Sequence, residues 1–261
     1  MKQRIITAII ALIIFIPTII YGQIPFVALT FLIASIGLYE FIRTSKLSSF
    51  LLPSIVSVLF LWIILLYSQD LSFSFLTGKI ESLFLVLMIL LLSYTVLSKN
   101  KFSFANAGTM LLGTIYISIS FYLFITVREM GLQYLLFVLF IIWTTDTGAY
   151  FSGRFLGKRK LWPAISPNKT IEGAIGGFVL SIVVGLIFSM ISSLDLPLGL
   201  LLLYAGVISI TGQLGDLVAS ALKRHFAVKD FGHILPGHGG ILDRFDSLLF
   251  VLPILYVLQF M

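Results

Sequence analysis

The chain contains no cysteine, so neither a disulfide framework nor a thiolate metal site can exist in it. Charge is scarce as well. Only 11% of the 261 residues are charged, against about a quarter in an ordinary soluble domain. There are three histidines, His225, His233 and His238, confined to one stretch at irregular spacing. The closely paired arrangement His-Glu-x-x-His that zinc favours is absent. So is Gly-x-x-x-x-Gly-Lys-Ser/Thr, which excludes a P-loop. No internal repeat and no low-complexity tract interrupts the chain.

What the chain has in abundance is apolar surface. Hydrophobic residues make up 59% of it, and a soluble protein of that composition could not cover itself with polar groups. The composition therefore places the chain in a bilayer. The formal charge of +6 then bears on sidedness rather than on nucleic acid, which is not an expected partner. The N-terminus reads Met-Lys-Gln-Arg followed by a long apolar run. The run exceeds a signal h-region and no small-residue cleavage site follows it, so it reads as an uncleaved first span.

About 20 apolar residues cross the hydrocarbon core as a helix. That ruler yields an all-α polytopic integral membrane protein with about nine transmembrane helices: Ile5–Tyr21, Ile24–Ile42, Phe50–Tyr67, Ile80–Leu97, Ala105–Val127, Leu132–Ser152, Gly173–Ser193, Pro197–Ala219 and Arg244–Phe260. With a cytoplasmic N-terminus and alternating spans, 15 of the 17 cations fall on the inner side, and only Lys79 and Arg128 fall outside. Such sorting follows the positive-inside rule and would be scrambled by a miscounted span. The expected location is the cell (inner) membrane. Two inner loops are long and polar, 153–172 and 220–243. Residues 1–130 accordingly read as a transmembrane scaffold and lipid-binding surface, and 131–261 as the half that carries chemistry.

Six acids in the second half of the chain, Asp146, Glu172, Asp216, Asp230, Asp243 and Asp246, fall in or beside inner loops or near inner span ends. An ionised group in a span costs at least a few kcal/mol, so its presence there is a functional hypothesis. Asp146 sits beside Thr144, Thr145 and Thr147, which offer further oxygens for a polar wall. Gly148 and Ser152 form a small-xxx-small pair suited to close helix packing. Asp216 has only small or apolar sequence neighbours, and nothing nearby pairs with it. Asp243 and Asp246, three apart, share one face of a helix start. Acids in a first turn also suit the helix dipole, but that does not account for Asp216 or for the glycines before Asp243. Hard oxygen donors without cysteine or paired histidine fit Mg²⁺, which commonly takes one or two carboxylates plus substrate phosphates.

The first inner loop ends in a basic stretch, Lys158-Arg-Lys-Leu-Trp-Pro-Ala-Ile-Ser-Pro-Asn-Lys-Thr-Ile-Glu-Gly173. It is expected to enter a helix capped by Ser166 or Thr170, with Pro167 in the first turn. A helix N-terminus with Lys169 beside it suits an anion. Lys158, Arg159 and Lys160 read rather as a juxtamembrane cluster drawn to anionic lipid. Ser166, Asn168, Lys169 and Glu172 read as site residues, and Gly173, Gly176 and Gly177 as packing positions. The second loop gathers Lys223, Arg224 and Lys229, then Gly237, Gly239 and Gly240, which let backbone approach a ligand closely.

The stretch Ser220 to Asp246 resembles the family motif of phosphatidate cytidylyltransferases, Ser-x-apolar-Lys-Arg-x4-Lys-Asp-x-small-x2-apolar-Pro-x-His-Gly-Gly-apolar-x-Asp-Arg-apolar-Asp, at every fixed position. Ser166-Pro-Asn-Lys-Thr-Ile-Glu-Gly173 is similar to that family's Ser-Pro-x-Lys-Ser/Thr-x-Glu-Gly element. The resemblance implies an Mg²⁺-dependent nucleotidyltransferase that joins CTP and phosphatidic acid into CDP-diacylglycerol and pyrophosphate at the cytoplasmic face. It implies a cation centre held by Asp216, Asp243 and Asp246, with room for a second cation. Lys169, Lys223, Arg224 and Lys229 fall to the phosphates. Asp230, His238, Gly239, Gly240 and Arg244 belong to the same substrate-binding motif, while Asp146 and Glu172 could hold metal, orient Lys169 or contact the nucleotide. The implied partners are the two substrates and membrane lipid, and a homo-oligomer is compatible with them.

Two other readings compete. A transporter would place its acids deep within spans, whereas these cluster at one face beside cationic loops. A CDP-alcohol phosphotransferase would carry Asp-Gly-x2-Ala-Arg-x8-Gly-x3-Asp-x3-Asp, which is absent.

Overall fold

The computed structural model describes residues 2–68, 80–192, 194, 196–237 and 239–260, with the backbone alone for 2–6 and 8. Lys79, Ser193 and His238, all used in the sequence reading, lie outside the described residues. Among the described residues there are nine helices and one two-stranded hairpin. The helices are α1 (Lys2–Tyr21), α2 (Gln23–Thr44), α3 (Leu51–Tyr67), α4 (Ile80–Leu97), α5 (Phe104–Met130), α6 (Leu132–Leu156), α7 (Ile171–Ile191), α8 (Leu198–His225) and α9 (Leu242–Val257). The strands β1 (Lys160–Trp162) and β2 (Ser166–Thr170) lie between α6 and α7.

Six helices, α2 and α4 to α8, are long and apolar enough to cross a membrane. Many of the large apolar side chains point outward, among them Ile13, Ile24, Leu85, Ile89, Val179 and Leu203. In water such a surface would be an aggregation hazard; in lipid it is the solvated face. The protein is an all-α polytopic membrane protein.

The chain forms two compact units. The first contains residues 1–126 and takes back the segment Asp230–Asp243. Its core is built on Phe26, Leu38, Leu61, Leu65, Phe102, Met110, Phe121 and Phe124, all fully buried. Phe26 and Phe124 meet with ring centroids 5.0 Å apart, as do Phe50 and Phe102. The returning segment packs here too, with Leu242 against Gly37 of α2.

The second unit contains residues 127–229 and 244–261. Its helices approach closely because small residues line the seams. A Cβ at Gly177 would lie 2.6 Å from the Thr145 carbonyl, and one at Gly148 would press on Gly177. Ser152 fills the space beside Gly176 in the same seam. Aromatic contacts close the far end, where Tyr204 and Phe260 stack edge to face at 4.7 Å and the Tyr204 hydroxyl donates to the Leu258 carbonyl. Along α8, a Cβ at Gly215 would meet Cβ of Phe250 at 2.6 Å and the Asp246 carbonyl at 3.0 Å. Glycine at that position brings α8 and α9 together beside Asp216.

Candidate active site

The basic loop is not simply a coil running into a helix. Lys158 and Arg159 donate their backbone N–H groups to the Glu172 carboxylate at 3.0 to 3.2 Å. That clasp brings the loop back on itself, and β1 and β2 pair antiparallel with Lys160 opposite Thr170. The helix cap is Thr170, whose hydroxyl accepts from the Gly173 N–H at 3.1 Å. Ser166 and Pro167 therefore lie in a strand, and the expectation of a Ser166 cap with Pro167 in the first helical turn is corrected. The reason is local: once Glu172 fixes residues 158 and 159, the Ser166–Thr170 backbone pairs with β1 and the helix cannot start before Ile171. Asn168 is exposed on β2 and Ser166 partly buried.

The hairpin aims Lys169 at α8. Its Nζ lies 2.5 Å from Asp216 Oδ2, with both side chains partly exposed. It also donates to the Gln213 carbonyl at 3.4 Å, while Gln213 Nε2 donates to the Ala174 carbonyl at 3.3 Å. Asp216, which has no partner among its sequence neighbours, thus gains one across the fold. Lys223 and Arg224 follow two turns on, in the last turn of α8. Arg224 Nε donates to the Ile165 carbonyl at 3.4 Å, tying the end of α8 to the hairpin.

Asp146 on α6 and Asp246 on α9 lie within electrostatic range of Asp216 and of each other. The carboxylate of Asp216 acts on both Asp146 and Asp246, and Asp146 acts on Asp246 in turn. Lys169 offsets the charge at Asp146, and Lys223 offsets it at Asp246. Asp146 is exposed, and Asp216 and Asp246 are half-buried. Thr145 and Thr147 donate their hydroxyls back to the Ile141 and Trp143 carbonyls, leaving only lone pairs for other partners. Asp246 Oδ1 accepts from the Ser247 N–H at 2.8 Å.

Asp243 belongs to a different local arrangement, inside the first unit. Its Oδ2 accepts from the Phe231 and Gly240 N–H groups at 2.9 and 3.0 Å. The loop between them is turned by Gly237 and Gly239, which take φ values of 79° and 85°. Leu235 N–H donates to the Gly239 carbonyl at 3.1 Å across that turn. Asp230 flanks Gly239, while Lys229 and Arg244 are exposed at the two ends of the segment. Sequence reasoning missed Glu40, a wholly buried acid of α2 whose carboxylate accepts from the N–H groups of Ile241 and Leu242. The available signal was the acid itself, set in an apolar span.

The donor set suits a hard cation. Asp146, Asp216 and Asp246 are all-oxygen and accessible, and two ammonium groups stand beside them. Among the described residues no group of three His, Cys, Asp or Glu side chains is placed to hold a metal ion. Any Mg²⁺ held here would therefore take one or two of these carboxylates and complete its sphere with water and substrate phosphates.

The chain matches the family model described as "Cytidylyltransferase family" over residues 2–261. It is 52% identical to the phosphatidate cytidylyltransferase of Bacillus subtilis (strain 168), over 99% of this chain and 97% of that protein. It is 50% identical to the protein of the same name from Staphylococcus epidermidis (strain ATCC 12228 / FDA PCI 1200) and 46% identical to that of Staphylococcus aureus (strain COL), each over 99% of this chain and 98% of the other. With the match running the whole length and taking in both the hairpin and the α8–α9 acids, this chain belongs to the cytidylyltransferase family.

Proposed function

We propose that this protein transfers the cytidylyl group of CTP to phosphatidic acid, giving CDP-diacylglycerol and pyrophosphate, at the cytoplasmic face of the cell membrane. The observation that carries the reading is the meeting of Lys169 with Asp216, beside Asp146, Asp246 and Lys223, in a chain similar throughout to phosphatidate cytidylyltransferases.

A phosphomonoester is mostly dianionic near neutral pH, since its second pKa is about 6. The lipid phosphate is thus already a nucleophile and needs no strong base. One of its oxygens attacks the α-phosphorus of CTP. The bond from that phosphorus to the β-bridging oxygen breaks, and pyrophosphate leaves with the electron pair. The obstacle is the gathering of several negative charges, so catalysis rests on positioning and electrostatics. Lys169, Lys223, Arg224 and Lys229 neutralise phosphate oxygens. The carboxylates of Asp216 and Asp246, with Asp146 and the motif residue Asp243 as the further candidates, would hold Mg²⁺. When bound, that ion screens the triphosphate charge and polarises the reacting phosphoryl group. Gly239 would let backbone approach the nucleotide closely. The N-terminus and both polar loops face the cytoplasm in this reading, where CTP is available.

The test is direct. Purified protein is incubated with α-labelled CTP, Mg²⁺ and a panel of lipid phosphates that includes diacyl and ether-linked forms. Labelled CDP-diacylglycerol with stoichiometric pyrophosphate is the expected result. Folded protein that labels no lipid phosphate overturns the reading.

A further inference from the structure

We infer that Glu40, in the part of the chain that reads as scaffold, positions the Asp230–Asp243 loop, and that turnover depends on this anchorage. The inference rests on the reading of that loop as part of the phosphate-handling site.

A carboxylate buried in a membrane protein is costly unless its oxygens are matched. Glu40 is 2% exposed, and both of its oxygens are matched by the loop. Oε1 accepts from the Ile241 N–H at 3.1 Å and Oε2 from the Leu242 N–H at 3.0 Å. These are N–H groups at the start of α9, which no turn of their own helix can satisfy. The positive end of the helix dipole favours an anion there. Thr44, one turn further along α2, donates its hydroxyl to the Phe231 carbonyl at 2.9 Å. One face of α2 therefore grips the loop at both ends.

The loop is shaped around that carboxylate. A Cβ at Gly240 would lie 2.5 Å from both Glu40 oxygens, and one at Gly232 would overlap Oε1. Two glycines of the loop thus make room for one side chain. Asp243 closes the same segment from within by accepting from Phe231 and Gly240. A transporter acid would need oxygens free to take up and release an ion. Those of Glu40 are committed to backbone, which makes it an anchor.

The experiment uses the full-length protein in membranes. Glu40→Gln keeps the shape but sets an NH₂ donor against one of two N–H donors. Cytidylyl transfer to phosphatidic acid should fall about tenfold to a hundredfold, as for displacement of a site by a fraction of its contacts. Hydrogen exchange at Ile241 and Leu242 should rise while α6 to α8 keep their protection. The second arm is a double-mutant cycle. Gly232→Ala should lower turnover about tenfold beside Glu40. Beside Glu40→Ala, where the space is vacated, it should change turnover by less than about twofold. Unchanged turnover in Glu40→Gln overturns the inference, whether or not exchange rises. Equal losses from Gly232→Ala in the two backgrounds also overturn it. A wild-type protein that transfers nothing counts instead against the proposed function, and the exchange measurement does not depend on that reaction.

Discussion

Lys169 Nζ stands 2.5 Å from Asp216 Oδ2, so a basic hairpin and an acidic turn of α8 that are far apart in sequence meet as one charge pair. Neither residue is fully shielded from solvent, which limits what the pair adds to folding. In the proposed reaction the pair would hold a cation and an anion where the nucleotide's phosphates and a metal are to be met.

Residues that act as a unit lose activity non-additively. Lys169→Met and Asp216→Asn should each lower turnover about a hundredfold, the scale of removing one strong electrostatic element. The double variant should be little worse than the worse single one. Steady-state kinetics on the four proteins decides it, and losses that multiply would show that the two residues act independently.

The remaining acids separate by their partners. Asp246→Asn should lower turnover about a hundredfold at limiting Mg²⁺ and raise the Mg²⁺ concentration needed for half-maximal rate. Asp146→Asn should act in the same direction. Asp243 is informative because its Oδ2 already serves two backbone N–H groups. Asp243→Asn keeps one acceptor oxygen for those N–H groups while removing the charge and turning the other oxygen into an NH₂ donor. A hundredfold loss with Asn supports the metal role, whereas near-normal turnover with Asn and loss with Ala assigns Asp243 to the loop. Magnesium titrations of each variant give the answer.

How much of this was legible in the sequence depends on what forces each feature. Bilayer thickness forces span length, so Ile80–Leu97 came out with both ends in place and most other helices within a few residues. But α8 runs on from the expected end at Ala219 to His225 and takes Lys223 and Arg224 out of the expected 220–243 loop. The hairpin was hidden because its pairing depends on Glu172 gripping the backbone of Lys158 and Arg159, a contact that no periodicity reports. Pro167 then looked like a first-turn residue, though it lies in β2. The partner of Asp216 was hidden for the same reason, since Lys169 reaches it only through that hairpin. Glu40 was overlooked because its surroundings are apolar, although an acid in such a run is itself a signal.

The α6–α7 seam offers a stability test that alters none of the charged side chains. A Cβ at Gly177 would lie 2.6 Å from the Thr145 carbonyl, a backbone atom that cannot swing aside. Gly177→Ala should cost about 1–3 kcal/mol, the range for overpacking a close interface. The readout is the thermal midpoint in detergent, and an unchanged midpoint would show that the helices can separate without loss.

Sidedness can be read with thiol chemistry, because the chain has no cysteine of its own. Single cysteines at Lys160 and Lys229 should resist an impermeant reagent in intact cells and react after permeabilisation. A cysteine at Arg128 should react in intact cells. The opposite pattern would reverse the N-inside arrangement inferred from cation sorting.

Stereochemistry tests the chemical step itself. Direct attack by the lipid phosphate is a single in-line displacement, so the α-phosphorus should invert and no cytidylyl-enzyme should form. Two successive displacements through a protein nucleophile would give retention. The hydroxyls of the hairpin and the α7 cap offer little for that role. Thr170 is occupied as the cap of α7 and accepts from Gly173, and Ser166 lies in β2. CTP carrying a chiral α-thiophosphate reports the outcome through the configuration of the CDP-lipid product. Inversion agrees with transfer steered by Lys169, Lys223, Asp216 and Asp246. Retention would require a protein nucleophile, and trapping the labelled cytidylyl-enzyme and mapping its peptide would then identify it.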